Sequence, residues 1–365
     1  MHVLVASPMM TGTLKANAIN TVKSAEGFAA LGHEVTILCR KGDIIVDAET
    51  LNTFYGLDHD IKWTMLSGID AGPWRFAANA THHIRRISPD FVFARAFVLP
   101  AVSAFMKIPT VLESHAHPGS PAMPLRLASW ASRLPAWRAW VTIAPRLHHY
   151  FVEIGVPEKK LLLLPTGVNI DRFRRPADPG PSPYLNRRRP IAAYIGHLYD
   201  YKGIPTILAA AAQLPDISFH LVGGLPEDLA RQQTRAAELG ARNVVFHGAK
   251  PHSAVPPYLW HADALLLPPS AHHPSAEWTS PVKLGEYLAA GPPIIATDIP
   301  ALRCWLDAGE ADFVEPDNAS ALASGIRNTL AQSANVTAAE HRLQRAKTWS
   351  YANRSRRILE HAELA

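Results

Sequence analysis

Cysteine is scarce: it occurs twice in 365 residues, at Cys39 and Cys304, each within an apolar stretch. A disulfide framework is thereby excluded, and a reducing, cytoplasmic setting is expected. Long apolar runs are missing too. No window approaches the ~18 or more uninterrupted apolar residues of a membrane-spanning helix, although the apolar fraction is an ordinary 48%. The opening Met1-His-Val-Leu-Val-Ala6 lacks the charged n-region and full h-region of a signal peptide and reads as a strand. Basic residues exceed acidic ones modestly, 36 against 31, and are scattered rather than blocked. A net charge of +5 favours anionic partners. The scatter, with no aromatic-basic RNA-binding motif, argues against nucleic acid. Neither a residue-level repeat nor a low-complexity tract is present.

What the chain does have is a rhythm, met twice. Val3–Val5 is a strand, a loop with Gly12 follows, then a helix from about Asn17 to Leu31 and the strand Glu34–Leu38. Short apolar runs recur at Phe91–Phe93 and Thr110–Leu112. Around 176–190 the pattern breaks into "PADPGPSPYLNRRRP", the best linker in the chain. Beyond it come strand Ile191–Ile195, the loop "GHLYDYKG", helix Ile204–Gln213, strand Ile217–Val222 with Gly223-Gly224, and strands Val244–Phe246 and Ala264–Leu267. Such alternation predicts an α/β protein of two Rossmann-like, doubly wound domains facing across a cleft. Their expected limits are 1–178 and 187–344. A last helix, from about Ala338 to Leu364, exceeds what the second domain needs, and its end, about 345–365, is expected to cross back to the first.

The stretch "EWTSPVKLGEYLAAGPPIIATD", 277–298, carries chemistry. Ser280 suits an N-cap, Pro281 the first helical position, and Gly291-Pro292-Pro293 a stop, so a helix is expected over Pro281–Ala290. It follows a strand and a loop from Pro269 to Thr279. At such a strand end the free N–H groups of Thr279, Ser280 and Val282 offer an anion site. Glu286 lies six residues on, a rise of roughly 9 Å, about the reach from a diphosphate to the ribose hydroxyls of one nucleotide. The plainer reading makes Lys283 and Glu286 an exposed i,i+3 ion pair.

Several stretches taken in order resemble the retaining nucleotide-sugar glycosyltransferases of family four, which have the two-Rossmann GT-B architecture. They are "GFAALGHEVTIL", "PDFVFARAFVLPAVSAFMKIPTVLESHAH", "VTIAPRLHHYFVEIGVPEKKLLLLPTGVNIDRF", "YIGHLYDYKGIPTIL", "LVGG", "NVVFHGA", "HADALLLPPS" and "TSPVKLGEYLAAGPPIIATDIPALR". The likeness covers nearly the whole chain. It implies Lys202 on the donor diphosphate, Glu286 on the ribose and His115 facing the donor sugar as the catalytic set, with His117 a competitor for His115. It also implies Gly12, His197, Gly223, Gly224, Ala249, Trp278, Thr279, Ser280, Pro281 and Val282 around the donor, and Asn17, Arg95, Glu113 and His117 on the acceptor side. Two departures stand out. "PMMTGTLKANAIN" replaces the usual double glycine near Gly12, and Trp278 stands where the first glutamate of a Glu-x7-Glu pair belongs, which affects how the sugar is read.

The activity implied is retaining transfer of a sugar from a UDP- or GDP-linked donor to an acceptor hydroxyl, in glycan, glycolipid or glycosylated-metabolite assembly such as polysaccharide biosynthesis. No metal or other cofactor is expected, since the paired histidines His82-His83, His148-His149 and His272-His273 have no third ligand at supportive spacing. Between Pro118 and His149 the chain is rich in arginine and tryptophan. Such a surface suits the inner face of an anionic membrane and a lipid-linked acceptor. The favoured alternative there is packing of Leu125, Leu127, Trp130, Leu134 and Trp137 from a helix onto the sheet. A nucleotide-sugar epimerase and a non-catalytic, sugar-nucleotide-binding subunit are the rival functions.

Overall fold

The computed structural model describes residues 1–13, 15–42, 47–68, 72–115, 117, 120, 122–184, 190–278, 280, 282–332 and 336–365. Two compact units emerge: Met1–Gly167 with Trp349–Ala365, and Val168–Thr348. The division falls at 167/168, ahead of the proline-rich stretch expected as linker, whose described residues belong to the second unit.

The first unit holds a seven-stranded parallel sheet among the described residues. Its strands are β1 (His2–Met10), β2 (Glu34–Arg40), β3 (Lys62–Leu66), β4 (Phe91–Ala94), β5 (Thr110–Glu113), β6 (Trp137–Thr142) and β7 (Leu161–Leu163), in the order β3-β2-β1-β4-β5-β6-β7. Val3 pairs with Val35 on one side and Phe91 on the other. Its helices are α1 (Ala16–Ala29), α2 (Ala48–Tyr55), α3 (Pro73–Ile87), α4 (Val98–Phe105), α5 (Ala122–Ala131) and α6 (Pro145–Glu153). Strands buried on both faces explain their unbroken Val, Leu and Phe runs. On one face Phe28 of α1 meets Phe91 and Phe93 edge-on at 5.8 and 5.4 Å. On the other, Phe76 and Ile84 of α3 are fully buried.

The second unit carries β8 (Ile191–Ile195), β9 (Ser218–Val222), β10 (Val244–Gly248), β11 (Ala264–Leu267), β12 (Ile294–Thr297) and β13 (Asp312–Val314), all parallel, in the order β10-β9-β8-β11-β12-β13. Its helices are α7 (Ile170–Phe173), α8 (Ile204–Gln213), α9 (Pro226–Glu238), α10 (Pro256–Trp260), α11 (Ser275–Trp278), α12 (Val282–Ala290), α13 (Pro300–Arg303), α14 (Ala319–Ala331) and α15 (Val336–Thr348). In each sheet the strand order reverses beside the first strand, so the loops after β1 and β8 open at the place where ligands bind in doubly wound sheets.

The long final helix is corrected. It is two helices, α15 and α16 (Tyr351–His361), broken at Trp349-Ser350, where the Ser350 side chain accepts a hydrogen bond from the Asn353 N–H and caps the second. Only α16 belongs to the first unit, where it packs on α1 and the Tyr351 hydroxyl donates to Asn20 Oδ1 at 2.9 Å. The expected loop 269–279 also contains a helical turn, α11, and Trp137 lies on a strand rather than a helix.

Candidate functional site

In the second unit the loop after β8 is a tight build around glycines. Gly196 has φ 145°, and a Cβ there would fall 2.0 Å from Lys283 Nζ. Gly203 has φ 81°, and its Cβ would fall 1.7 Å from the Pro268 carbonyl. Neither position admits a side chain, which brings this loop against β11 and α12. Between the two glycines, His197, Tyr199 and Tyr201 stack in sequence at 5.0 and 5.5 Å, and His273 continues the ladder at 4.0 Å from Tyr201. The stack ties this loop to the one before α11.

Lys202 ends the loop, half-buried, with Nζ 4.9 Å from the centre of the Tyr201 ring. Lys283 of α12 donates to the Tyr194 hydroxyl at 2.9 Å and lies 4.2 Å from that ring's centre. Both lysines line one recess with Tyr194, Ser275 and Leu267. Burial lowers the pKa of Lys202, and it brings that of Lys283 down to about 7, with Lys202 adding repulsion and Glu286 opposing. Among the described residues neither ammonium group is ion-paired. Two adjacent cations held partly out of water without a carboxylate make a site for an anion. Lys283 and Glu286 are therefore not the i,i+3 pair of the plainer reading.

Glu286 is buried and engages His252 instead, Oε1 to Nε2 at 3.1 Å. His252 Nδ1 in turn meets Arg172 Nη1 at 3.4 Å, and its ring sits edge-on to Phe173. The next residue, Tyr287, accepts from the Ile195 N–H at 3.0 Å and so fixes α12 to the end of β8. The Lys283 contact to Tyr194 and this bond, about one helical turn apart, tie α12 to one strand. Ser280 is buried just before α12, while Thr279 and Pro281 lie outside the described residues. Gly223 and Gly224, at φ 121° and 92°, close on the Gly196 carbonyl and the Leu198 side chain. Ala249 is exposed after β10, Val282 begins α12 and Trp278 ends α11, both half-buried. His197 is exposed, and burial of its ring, then Lys283 and Lys202, keep its pKa below the ordinary value.

In the first unit the expected acceptor-side residues gather around Glu113. Its carboxylate meets Arg354 Nη2 of α16 at 2.8 Å, Arg95 Nη2 at 3.4 Å and His115 Nε2 at 3.2 Å. Burial alone would raise the Glu113 pKa; the Arg354 and Arg95 guanidiniums outweigh it and hold the carboxyl well below the usual range. Arg95 Nη1 donates to the Asn17 carbonyl and Thr21 Oγ1 at 3.2 and 3.1 Å, so Asn17 contributes backbone there. His115 Nε2 also lies 3.3 Å from Arg95 Nη2, accepting from the guanidinium or donating to Glu113 according to tautomer. Desolvation lowers the His115 pKa, Glu113 opposes and Arg95 reinforces, which favours the neutral ring. Of the two competing histidines, His115 is the one seated on this cluster; the backbone of His117 turns through Ser120. Gly12, at φ 73°, follows β1 in a loop that Tyr55 fixes by donating to the Thr13 carbonyl at 3.1 Å.

Sequence reasoning passed over Arg354, His252 as Glu286's partner, and the aromatic ladder. The i,i+2 spacing of Tyr199 and Tyr201 was a usable signal; nothing local marks Arg354, 241 positions beyond its carboxylate partner. The chain also contains one Asp-x-Asp triplet, Asp58-His59-Asp60. It follows α2, where the Asp58 N–H donates to Glu26 and Asp60 accepts from Asn52. Among the described residues no three ligand-type side chains are grouped as a metal would need.

A family model described as glycosyltransferase family 4 matches residues 21–172, and one described as glycosyl transferases group 1 matches residues 189–332. WcaI of Escherichia coli, named for colanic acid biosynthesis, is 28% identical over 201 residues, 52% of this chain and 48% of its own. TuaH of Bacillus subtilis, named for teichuronic acid biosynthesis, is 26% identical over 171 residues, 47% of this chain and 42% of its own. The matches thus span about half the length of these relatives. Among solved structures, Anabaena HepE in complex with UDP and glucose aligns with a TM-score of 0.75 at 16% identity, over 100% of this chain and 99% of its own. A Rickettsia africae glycosyltransferase aligns at 0.76 and 18%, over 100% and 98%. These likenesses establish the fold, two parallel-sheet units of the GT-B type.

Proposed function

The chain belongs to the family four, group 1 glycosyltransferases, and from that premise we propose that it moves a sugar from a nucleotide-sugar donor to an acceptor hydroxyl with retention of configuration. The observation that carries the reading is the pair Lys202 and Lys283, two cations in one recess without a carboxylate, with buried Glu286 on the same helix as Lys283. Cleaving a sugar from a diphosphate leaves negative charge on the phosphate and oxocarbenium-like charge on the sugar. Lys202 and Lys283 stabilise the first, and positioned charge in a partly dry recess is a large catalytic term. Glu286, oriented by His252, accepts from the ribose hydroxyls. In the retaining route the departing phosphate takes the acceptor's proton, so no protein nucleophile is required and no metal is invoked. His115, neutral and seated on Glu113 and Arg95, is the first unit's group for a sugar hydroxyl.

The donor is UDP- or GDP-linked. HepE complexes with UDP and with UDP-glucose favour uridine. WcaI and TuaH, named for colanic acid and teichuronic acid biosynthesis, support a role in polysaccharide assembly. With Trp278 where the first glutamate belongs, the donor sugar is read by other groups.

The test is nucleotide release from a panel of UDP-, GDP-, ADP- and TDP-sugars. One donor should turn over, and Lys202→Ala and Glu286→Ala should each lower kcat/KM by about 10²-fold or more. Saturable binding without release from any donor, with acceptor candidates supplied, selects the non-catalytic subunit; a donor returned as its epimer selects the epimerase.

A further inference from the structure

The helices α3, α4 and α5 pack side by side in the first unit. None carries an aspartate or glutamate. Exposed on them stand Arg75, Arg85, Arg86 and Arg126, with Lys107 just past α4 and Arg133 just past α5, both also exposed. Of the carboxylates nearest in sequence, Asp70 lies outside the described residues, and the two that follow α3 and α4 are engaged elsewhere. Asp90, past the end of α3, binds the His2 N–H, and Glu113 is buried under two arginines.

On this acid-free layer α5 sorts cleanly by face. Pro124, Leu125, Ala128, Ser129 and Ala131 are buried, whereas Met123, Arg126 and Trp130, spaced i, i+3 and i+7, point outward. Met123 is 67% exposed and Trp130 53%. The packing reading from sequence therefore fails at Trp130. Phe105, at the end of α4, is 52% exposed with its ring 5.4 Å from that of Trp130, and Lys107 lies two residues on. Large apolar side chains grouped on a surface call for a covering partner. The cation fringe selects its sign, and the same fringe sets two copies of this face against each other.

We propose that the α4–α5 face docks reversibly on an anionic lipid bilayer. Phe105, Met123 and Trp130 enter the boundary between headgroups and acyl chains, and Lys107 and Arg126 meet the headgroup phosphates. This placement does not depend on the transfer reading: it concerns a surface of the first unit, whereas the donor lysines belong to the second, and it is read by binding, without turnover.

The experiment is co-sedimentation of the full chain with vesicles of phosphatidylcholine alone and of phosphatidylcholine mixed with phosphatidylglycerol, across a salt series. Partitioning onto the mixed vesicles only, weakening as salt rises, is expected. Arg126→Gln should lower it by about fivefold and flatten the salt dependence, whereas Trp130→Ser should weaken it at every salt concentration alike. Both positions are exposed, so unchanged melting curves verify the fold of each variant. Equal partitioning onto both vesicle types, none at low salt, or partitioning that survives both substitutions overturns the proposal. So does self-association in sedimentation velocity that Trp130→Ser abolishes, which would assign the face to a second copy.

Discussion

Lys283 is an amine kept partly dry, its folded pKa of about 7 far below the ordinary 10.5. Between those values the unfolded chain holds more protons than the folded one, so this group makes stability rise with pH from about 7 upward. A bound diphosphate reverses the local balance by favouring the charged form. UDP binding at pH 8 should accordingly take up protons, read by titration calorimetry in buffers of different ionisation heat; buffer-independent heats would refute it. Lys283→Met should raise the melting temperature of the ligand-free chain while lowering kcat/KM about 10²-fold. Loss in both stability and activity would mean that the ammonium is structural. Glu113 gives stability the same slope with pH by the opposite cause, since the fold favours its charged form where it disfavours that of Lys283. Its folded pKa is depressed, so its contribution is present above the unfolded carboxylate range near pH 4 and fades as pH falls through the folded value. Glu113→Ala strands the Arg354 and Arg95 guanidiniums and should cost about 3–5 kcal/mol in chemical denaturation. Arg354→Met in the same chain should recover part of that, as removing both partners leaves less uncompensated charge.

At the scale of elements, the second unit depends on glycines that let β8's loop meet its neighbours. Gly203→Ala meets both a left-handed backbone and the Pro268 carbonyl and should unfold or strongly destabilise the unit, whereas Gly32→Ala, with φ 84° and open space around it, should lose only about 1 kcal/mol. Comparable losses from the two in thermal melts would count against the close approach. The elements themselves were legible where local rules act alone. β8, α8 and β11 match the periodic runs to the residue, because a fully buried strand and a helix opened by proline advertise themselves. The break at Trp349-Ser350 was missed, since Ala338–Leu364 otherwise keeps helical composition and the one local signal is the Ser350 cap. The site shows the same limit. Glu286 could be singled out by its distance from the start of α12, and Lys202 by the family resemblance, but the contact of Glu286 with His252, and of His252 with Arg172, joins α12, the turn after β10 and α7 and leaves no trace in any one of them.

At the scale of the whole molecule, the first unit is discontinuous: Met1–Gly167 is completed by Trp349–Ala365. The α16 contribution is substantial, since Ile358 and Leu359 join the same core as Phe28 and Val5, and Arg354 reaches Glu113 and the Pro165 carbonyl. Deleting residues 349–365 should lower the first unit's melting transition and leave the second's in place in differential scanning calorimetry. Equal loss from both would mean that the units unfold as one.

That discontinuity sets an order of events during synthesis. The ribosome releases Arg354 only after the whole of Val168–Thr348, about 180 residues and roughly 10–40 s later than Gly167. Through that interval Glu113 and Arg95 wait without the second guanidinium, and α1 presents to solvent the side that α16 will cover. The second unit, contiguous in sequence, needs no later segment, whereas the first is completed only by Trp349–Ala365. A nascent chain stalled before Trp349 should therefore resist protease in its second unit while its first is still cut.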